Sequence, residues 1–408
     1  MLSREENESL TRVGPGTKMG ALMRRYWIPA CFSKALPAPD CAPIRVKLLC
    51  ESLVAFRDSK GRVGLVDEFC PHRTASLFFG RNEECGLRCV YHGWKFDVDG
   101  ACVDMPSEPG ESSFKNKVRI KAYPCVERGG VVWTYMGPPD KKPEFPDLEW
   151  TMVPESHRFA TRHIQECNWL QATEGGFDTS HLTFLHGGTV LPTRLPARYD
   201  VVPMDFGFVA VTGRDLADGN WEWTANVMLM PFHKIIASNP MGAHVWVPID
   251  DENTMNYSVD FNPLRPFTEA DLERSKSWRG IHTRNVPGTD RAAQNKDNDY
   301  LIDRALQAGG TSYTGIFGLG VQDCGIQESM GPIADRTIEH LGVSDTIIIK
   351  LRRLLLQTLD SAADGATLPG MNPASWRVRS ARFKLPASES YEPALDRFVR
   401  VREPEAAK

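Results

Sequence analysis

The sequence predicts an α+β protein in which a small all-β domain is followed by a larger domain of helices and antiparallel strands. Three observations lead to this fold class. Short runs of β-branched and aromatic residues, separated by turn signals, fill residues 44–136. A proline-rich stretch at 137–146 then interrupts regular structure. Beyond it, alternating segments lie between helical patterns, and a chain of 408 residues has room for two or three domains.

The first region begins with a helical pattern and continues as strands. Residues 18–27 predict a short helix, which Pro29 follows. Turn signals at 58–61 and 97–100 punctuate the region. The predicted strands lie at 44–49, 53–56, 63–66 and 131–135. The predicted organisation is a helical N-terminal segment at 1–28, a β domain with its proline-rich linker at 29–147, and a second domain at 148–408.

The second region combines helices with antiparallel strands. Residues 165–186 have a helical pattern, although the pair Gly175-Gly176 lowers the helix propensity. The stretch 284–313 is either a functional loop or lid, or a solvated connection. A last amphipathic helix is predicted at 335–359, with Arg352 and Arg353 facing outward. Alternation predicts strands at 199–203, 208–213, 221–238, 243–248 and 255–261.

The composition argues against several classes of protein. With 48 basic and 52 acidic residues the net charge is −4, and no long basic run is present, so we expect no nucleic-acid partner. No apolar stretch approaches the ~20 residues of a membrane span, and the N-terminus lacks the features of a secretory signal, so we expect a cytoplasmic protein. In a reducing compartment, ten cysteines beside ten histidines indicate metal or catalytic use.

Two cysteine and histidine pairs have the spacing of metal ligands. Cys70-Pro71-His72 is followed, after sixteen residues, by Cys89-Val90-Tyr91-His92. Tetrahedral zinc is one interpretation of this set. The other is a [2Fe-2S] cluster in which two cysteines hold one iron and two histidines hold the other. Iron is favoured because each pair lies in a loop of the β domain, where Gly93 permits close backbone approach.

A second group of candidate ligands lies in the larger domain. His181 and His186 supply two imidazoles which, with one carboxylate, form a facial triad for Fe(II) that leaves positions open for dioxygen and substrate. A spacing of five residues directs the two side chains about 140° apart on a helix, so the helix must unwind or end before His186. A lone histidine would instead be a buried, hydrogen-bonded residue. Asp178 and Glu174 lie just upstream.

The sequence resembles the large (alpha) subunit of the Rieske non-haem iron ring-hydroxylating oxygenases, of the phthalate dioxygenase type. The resemblance covers nearly the whole chain. One departure is Thr74, where many relatives place glycine. The residues that carry the resemblance are the Cys70-x-His72 and Cys89-x-x-His92-Gly93-Trp94 loops, Val13–Gly20 with Arg25-Tyr26-Trp27, the segment 168–186, and 327–333. It implies an N-terminal Rieske [2Fe-2S] domain and a catalytic mononuclear-iron domain with an antiparallel sheet gripped by helices.

The resemblance also implies roles for individual residues. It selects Asp323 as the third iron ligand, at a site where relatives usually show Glu-Asp and this chain has Gln322-Asp323. Glu328 is the competing carboxylate. Asp178 matches the family's bridging aspartate, which links a cluster histidine of one subunit to an iron histidine of its neighbour. Cys324 adjoins Asp323 and is the unassigned cysteine expected nearest the pocket.

The implied partners are an electron donor and further copies of the chain. Electrons are expected from NADH through a separate reductase with FMN and a [2Fe-2S] centre, because the sequence has no dinucleotide-binding G-x-G-x-x-G segment after a strand. Dioxygen is the oxidant. The assembly is expected to be a homotrimer or a stacked double trimer.

The resemblance further implies an aromatic carboxylate as the substrate. The positions where an ortho-dicarboxylate would meet cations fall near Val209 and Trp246, so isophthalate-, halobenzoate- or phenoxybenzoate-like compounds are favoured over ortho-phthalate. Candidate carboxylate partners are Arg198, Arg214, His233 and His244; candidate pocket residues are Val209, Met228, Met230 and Trp246, for which core packing is equally plausible.

The favoured reaction is cis-dihydroxylation of the ring, with monohydroxylation or O-dealkylation by a Rieske monooxygenase as the alternative. A Rieske electron carrier and a zinc-stabilised ligand-binding protein are the rivals from other classes. The carrier is disfavoured because it would need no second iron site.

Overall fold

The computed structural model describes residues 1–187, 196–216 and 218–401. The chain divides into two compact units, one of residues 13–143 and one of residues 1–12 with the chain from Glu144 onward. The expected N-terminal segment 1–28 is therefore split between them. Helix α1 (Arg4–Thr11) belongs with the larger unit, where Trp169 Nε1 donates to Leu10 O at 3.1 Å and Asn168 Nδ2 donates to Thr11 O at 2.9 Å.

The unit of residues 13–143 consists of one short helix and antiparallel sheets. Its elements are α2 (Lys18–Met23), β1 (Trp27–Phe32), β2 (Ile44–Leu48), β3 (Glu51–Arg57), β4 (Val63–Asp67), β5 (Arg81–Glu83), β6 (Gly86–Arg88), β7 (Lys95–Phe96), β8 (Cys102–Asp104), β9 (Ala122–Tyr123), β10 (Cys125–Arg128) and β11 (Val131–Tyr135). The strand orders are β1-β11-β10, β2-β3-β4-β9 and β5-β6-β7-β8. The predicted all-β domain is confirmed, and each of its four predicted strands is present.

The core of this unit supports the two cysteine loops. Cys70 and Cys89 are both buried in one hydrophobic cluster with Phe56, Leu87 and Phe96. Val54 of β3 belongs to the same cluster, on the same face of the strand as Phe56, and so does Val66 of β4. The loops that carry the candidate cluster ligands are thus anchored on a packed β core.

The larger unit is built on one antiparallel sheet with helices. Its elements are α3 (Glu149–Met152), β12 (Arg158–Gln165), α4 (Trp169–Phe177), β13 (Arg198–Met204), β14 (Gly207–Asp215), β15 (Asn220–Leu229), β16 (His233–Ile236), β17 (Met241–Pro248), β18 (Thr254–Phe261), α5 (Glu269–Lys276), α6 (Arg304–Ala308), α7 (Leu319–Ser329), α8 (Thr346–Ala363), β19 (Ala381–Pro386) and α9 (Glu392–Val399). The sheet order is β12-β18-β17-β16-β15-β14-β13, and β19 also pairs with β15. Helix α4 packs on β17 and α7, so the predicted sheet with covering helices is confirmed. Within the described residues, no helix combines the length and apolarity needed to cross a bilayer.

Several predicted elements differ from the structure. The helix predicted at 165–186 is shorter, because strand β12 runs to Gln165 and α4 ends at Phe177. The strand predicted at 221–238 is two strands, β15 and β16. The helix predicted from 335 begins at Thr346. The stretch 284–313 contains α6 and a 3₁₀ segment at Lys296–Leu301.

The prediction that Arg352 faces outward is wrong. Its side chain is 4% exposed, and its guanidinium pairs with Glu174 at 2.6 Å and with Glu339 at 2.5 Å. A buried charge is tolerated where partners of opposite charge compensate its desolvation. The helical periodicity located the residue on α8 but could not identify carboxylates supplied by other elements.

Candidate active site

Two turns of the smaller unit each begin at a cysteine and present a histidine. In the first, Cys70 N–H donates to Ala75 O and Thr74 N–H donates to Cys70 O, both at 2.9 Å. Thr74 has a φ of 57°, in the left-handed region that favours glycine. The turn therefore has a backbone conformation that favours glycine, with a threonine at that position.

The second turn repeats this pattern of backbone hydrogen bonds. Cys89 N–H donates to Trp94 O at 2.8 Å, and Gly93 N–H donates to Cys89 O at 3.0 Å. Gly93 has a φ of 79°, and a Cβ at this position would lie 2.6 Å from the Pro106 ring. Glycine is therefore required both by the backbone conformation and by the close approach of Pro106.

The two turns bring two thiols and two imidazoles together. Burial raises the pKa of the Cys70 thiol to about 11, and the adjacent Cys89 adds to the rise. The rings of His72 and His92 meet edge to face with centroids 4.4 Å apart, and Trp94 stacks on His72 at 4.4 Å. His72 Nδ1 is buried without a hydrogen-bond partner among the described residues. Buried thiols and an unpartnered imidazole nitrogen suit a [2Fe-2S] cluster, whose irons would take these atoms as ligands.

A second donor set lies in the larger unit, after the end of α4. Helix α4 ends at Phe177, and His181 begins a short 3₁₀ turn, so His181 and His186 are not on one regular helix. Helix α7 supplies Asp323, whose Oδ1 lies 3.5 Å from His181 Nε2 and 3.3 Å from His186 Nε2. The three donor atoms all lie within 4.8 Å of one another.

This geometry fits a mononuclear metal ion. Ligands about 2.1 Å from an ion and at right angles to one another are roughly 3 Å apart. Asp323 Oδ1 is buried and makes no hydrogen bond of regular geometry among the described residues. Two imidazoles and one carboxylate converging on one point are the facial set that suits Fe(II) and leaves further positions for dioxygen.

Glu328, the competing carboxylate, has other partners. Its Oε2 accepts a hydrogen bond from Tyr300 OH at 2.6 Å, and its Oε1 accepts one from Glu166 N–H at 3.1 Å. Burial raises its pKa. Within the described part of the chain, the donor group that contains His181 and His186 includes Asp323 and excludes Glu328.

Gln322 and Asp178 orient the two histidines. His186 Nδ1 lies 2.7 Å from Gln322 Oε1, while Gln322 Nε2 donates to Ile316 O at 2.8 Å. The amide oxygen accepts only if Nδ1 carries the proton, which leaves Nε2 free for a metal. Asp178 Oδ2 lies 3.5 Å from His181 Nδ1. The sequence showed Gln322 only as a departure from relatives and gave no sign of this contact.

Burial and close pairing shift the pKa values of Asp323 and His186 in opposite directions. Burial alone would raise the pKa of Asp323, but the nearby His186 and His181 lower it overall. Burial would lower the pKa of His186, but Asp323 and Gln322 outweigh it and the pKa is raised. Each group thus favours the charge state that attracts the other.

Contacts with distant segments hold helix α4, which immediately precedes the donor set, in position. Asn168 caps its N-terminus by accepting from Leu170 N–H at 3.0 Å. Glu174 is held between Arg336, at 2.9 Å, and Arg352, at 2.6 Å. The charges of both arginines lower the pKa of Glu174 against the opposing effect of its burial. This network fixes the helix less than two turns before His181.

The two glycines of α4 permit close packing. A Cβ at Gly175 would lie 2.0 Å from Gln327 Nε2, and a Cβ at Gly176 would lie 2.2 Å from the Trp246 ring. The glycine pair that lowered the predicted helix propensity therefore allows α7 and β17 to approach the helix.

A cavity beside the donor set is lined by one face of the sheet. His244 and Trp246 of β17 line it together with Asp178, His181, His186 and Asp323. Arg214, one of the candidate carboxylate partners, also lines it. Further polar lining residues that sequence reasoning missed include Thr212, Thr224, Asn226, Lys234 and Arg382.

Other predicted pocket residues lie elsewhere in the sheet. Val209 lies three residues before Thr212 on β14, and His233 lies one residue before Lys234 on β16. Because successive side chains of a strand point to opposite faces, Val209 and His233 point away from the face that carries Thr212 and Lys234. Arg198 lies over the Trp221 ring at 4.2 Å. The predicted pocket residues absent from the described lining are Val209, Met228, Met230 and His233, all of them buried, together with the candidate partner Arg198.

Lys234 and Cys324 lie near the metal end of the cavity. Lys234 Nζ donates to Gly176 O. Burial lowers the pKa of Lys234 to about 8, although Asp323 and Asp178 act in the opposite direction. Cys324 lines the cavity as expected, with His163 Nε2 3.3 Å from its Sγ.

A cluster that accepts electrons and a facial triad that leaves metal positions open for dioxygen together define one class of protein, the Rieske oxygenases. Residues 26–124 match the family model of the Rieske [2Fe-2S] domain. Residues 134–202 and 205–384 match the model described as LigXa C-terminal domain like.

Similarity to individual proteins extends over almost the full length. The chain is 39% identical to the 3-chlorobenzoate-3,4-dioxygenase oxygenase subunit of Comamonas testosteroni, over 97% of this chain and 98% of that protein. It is 36% identical to the phthalate 4,5-dioxygenase oxygenase subunit of Pseudomonas putida, over 96% of this chain and 94% of that protein. The solved structure of the Pseudomonas putida CBB5 NdmA QL mutant with theobromine has the same fold, with a TM-score of 0.62 and 20% identity over 91% of this chain and 97% of that one.

The chain belongs to the Rieske non-haem iron ring-hydroxylating oxygenases of the phthalate dioxygenase type, as an oxygenase subunit. Its cofactors are a Rieske [2Fe-2S] cluster and a mononuclear iron, its oxidant is dioxygen, and its electrons come from NADH through a separate ferredoxin or reductase. It is an oxidoreductase that acts on aromatic compounds.

Proposed function

We propose that this chain is the terminal oxygenase that hydroxylates an aromatic carboxylate by cis-dihydroxylation of the ring. One observation carries the proposal: a single cavity is lined by His181, His186 and Asp323 and also by the cations Arg214 and Lys234. Cations lining the cavity would hold a carboxylate while the ring contacts the apolar wall. The candidate substrates are isophthalate-like, halobenzoate-like and phenoxybenzoate-like compounds, and the name of the chlorobenzoate dioxygenase favours the same chemistry.

The cluster would be held by the two turns of the smaller unit. Cys70 and Cys89 would ligate one iron as thiolates, and His72 and His92 would ligate the other as neutral imidazoles. The stacking of Trp94 on His72 keeps that ring fixed and shields one of its faces. The support for this assignment is the spacing of the pairs together with the buried thiols and the unpartnered Nδ1 of His72.

The mononuclear iron would be held by His181, His186 and Asp323. When bound, the cluster supplies an electron and the mononuclear iron activates dioxygen for addition to the ring. Gln322 keeps the proton of His186 on Nδ1, so Nε2 stays available as a ligand. The carboxylate of Asp323 adds the negative charge that complements a divalent ion.

Asp178 is proposed as the catalytic carboxylate that links the two centres between subunits. Its Oδ1 accepts from Ser180 N–H at 2.7 Å, which holds it beside His181. A carboxylate at the second nitrogen of a ligand histidine fixes the tautomer and orientation of that ring. We propose a homotrimer or a stacked double trimer, because this role needs the cluster of a neighbouring subunit. The proposed electron donor is a reductase with FMN and a [2Fe-2S] centre.

The decisive experiment is a metal analysis followed by a substrate screen. We expect three irons per chain, two in the cluster and one mononuclear. A panel of aromatic carboxylates is then screened for oxygen uptake coupled to product, with labelled dioxygen. Two labelled oxygen atoms in the product support cis-dihydroxylation, whereas one labelled atom with loss of an alkyl group supports O-dealkylation. Zinc in place of iron, or no coupled uptake with any carboxylate, contradicts the proposal.

A further inference from the structure

One end of the cavity combines cationic and hydroxyl groups on neighbouring strands. Thr212 of β14 and Arg382 of β19 are both paired with Thr224 of β15, so the three residues lie side by side. Arg214 follows two residues after Thr212 on the same face of β14. All four side chains line the cavity.

Thr212 provides an independent indication of a ligand. Its side chain is 1% exposed, and its Oγ1 has no hydrogen-bond partner among the described residues. A buried hydroxyl without a partner costs roughly 1–3 kcal/mol. Because the residue lines a cavity, a ligand oxygen placed there would satisfy the hydroxyl.

The charges at this end favour an anion. The pKa of Arg214 is lowered, mainly by burial and also by the positive charge of the nearby Arg382. The carboxylate of Glu222, which lies opposite Arg214 on β15, acts in the other direction. Arg214 and Arg382 both line the cavity, and Glu222 lies next to Arg214 on the neighbouring strand. A carboxylate ligand would relieve the repulsion between the two arginines and accept charge-assisted hydrogen bonds.

The other cationic end of the cavity is already engaged by protein groups. Lys234 Nζ donates to Gly176 O and lies over the Phe177 ring at 5.5 Å. His244 Nδ1 lies 3.2 Å from both Asn256 Oδ1 and Ser258 Oγ. These groups are less available to a ligand carboxylate than the hydroxyl of Thr212.

The register of the sheet measures the separation of the two ends. Lys234 pairs with Met228 and Arg382 pairs with Thr224, four residues along the same strand. At about 3.3 Å per residue, the backbone positions of the two pairs are roughly 13 Å apart along the strand. The charges of Asp323 and Asp178 act on Lys234, so it marks the metal end. This spacing favours a substrate longer than a single benzoate ring.

Building on the proposed oxygenase function, we propose that Thr212, Arg214 and Arg382 form a carboxylate subsite remote from the mononuclear metal. The preferred substrate is then a carboxylate of two linked aromatic rings, such as a phenoxybenzoate, with the carboxylate-bearing ring at the arginine end. The ring without the carboxylate lies at the metal end and is the one that is oxidised.

The test uses the holoenzyme with 4-phenoxybenzoate, with diphenyl ether as its uncharged counterpart, and with 3-chlorobenzoate as a single-ring carboxylate. The variants are Arg382→Gln, which removes an exposed charge at the cavity, and Thr212→Val, which removes the hydroxyl at nearly constant volume. Lys384→Gln is the matched control, because it removes a positive charge from the same strand outside the described lining. Dissociation constants are measured without turnover under anaerobic conditions, and oxygen uptake is measured separately.

We expect Arg382→Gln to weaken phenoxybenzoate binding about 10- to 100-fold, and Thr212→Val about 5- to 10-fold. Diphenyl ether binding should change less than twofold, and Lys384→Gln should change neither ligand. KM for phenoxybenzoate should rise while kcat is retained, because these groups would bind the substrate in ground and transition states alike.

Three outcomes would overturn the subsite. One is equal loss of the charged and uncharged ligands in Arg382→Gln. Another is loss of carboxylate binding in Lys234→Met alone. The third is tighter binding and faster turnover of 3-chlorobenzoate than of phenoxybenzoate; this outcome would leave the proposed oxygenase function standing. Absence of coupled oxygen uptake with every carboxylate, together with arginine-dependent phenoxybenzoate binding, would instead contradict the proposed function and support the subsite.

Discussion

The contact between Gln322 and His186 is predicted to set the metal affinity of the catalytic unit. His186 is 4% exposed, and its Nδ1 faces the Gln322 amide oxygen at 2.7 Å. Gln322→Met keeps the length of the side chain and removes both the acceptor and the donor of the amide. A metal on Nε2 requires the proton on Nδ1, so in the variant a buried N–H loses its acceptor whenever the site is loaded.

The size of the effect follows from that unpaired group. Leaving a buried donor unsatisfied costs roughly 1–3 kcal/mol. The cost falls mainly on the loaded state, because the free imidazole can move its proton to the other nitrogen. We therefore expect metal affinity to fall about 10- to 100-fold, in line with other losses of a partner behind a ligand histidine.

Gln322→Glu separates the two hydrogen bonds of the amide. Glutamate retains an acceptor for His186 Nδ1 but cannot, when ionised, donate to Ile316 O as the amide does at 2.8 Å. We expect near-normal metal affinity with a lower melting temperature. The methionine variant should lose both affinity and thermal stability.

The assay is anaerobic titration of the mononuclear site with Co(II), whose absorption reports its ligand field, with Fe(II) as the competing ion. Thermal unfolding of the same samples reports stability. The reasoning is refuted if Gln322→Met binds Co(II) within threefold of the unchanged protein, or if Gln322→Glu loses as much affinity as Gln322→Met.

Three further predictions concern the surroundings of the site. Asp178→Asn should keep three irons per chain and a reducible cluster yet lower turnover about 100-fold, as measured by metal analysis and coupled oxygen uptake; normal product formation would contradict the bridging role. Gly176→Ala should destabilise the protein by about 1–3 kcal/mol in chemical unfolding, because its Cβ would meet the Trp246 ring, whereas Gly280→Ala, in open space, should have little effect. Glu174→Gln should cost about 3–5 kcal/mol, because it removes the charge that the buried Arg336 and Arg352 share and leaves Arg352 with Glu339 alone as its charged partner among the described residues. The folded-state pKa of Glu174 is lowered, so its contribution is present above the ordinary carboxyl pKa of about 4.3 and is lost as the pH falls further; the variant should lose this acid-side dependence, and equal acid sensitivity of the two proteins would count against it.

Residues close together in the sequence were the most predictable part of the candidate site. Cys70 with His72, and Cys89 with His92, each lie within one tight turn, so their spacing along the chain nearly determines their spacing in space. The five-residue gap between His181 and His186 likewise predicted that the helix must unwind or end before His186, and α4 ends at Phe177. Local geometry was sufficient for these conclusions.

Contacts between distant segments were not predictable from pattern alone. Asp323 was chosen by resemblance, since nothing in its local sequence distinguishes it from Glu328. The cavity residues were harder, because a strand with apolar residues on both faces does not reveal which face is which. Val209 and His233 were therefore assigned to the cavity, whereas Thr212, on the sheet's other face, was missed.

The sequence of helix α4 does not by itself predict how the helix is stabilised. Its glycine pair disfavours a helix in isolation, and Glu174 would be an ordinary surface residue on a solvated one. In the folded unit, the glycines admit Trp246 and Gln327, and the carboxylate of Glu174 is held by arginines from later segments. The helix is therefore stabilised by the elements that also enclose the cavity, since most helical stability in proteins comes from tertiary packing. It follows that changes that loosen α4 should weaken metal binding at His181 before they unfold the unit, because that histidine depends on where the helix ends.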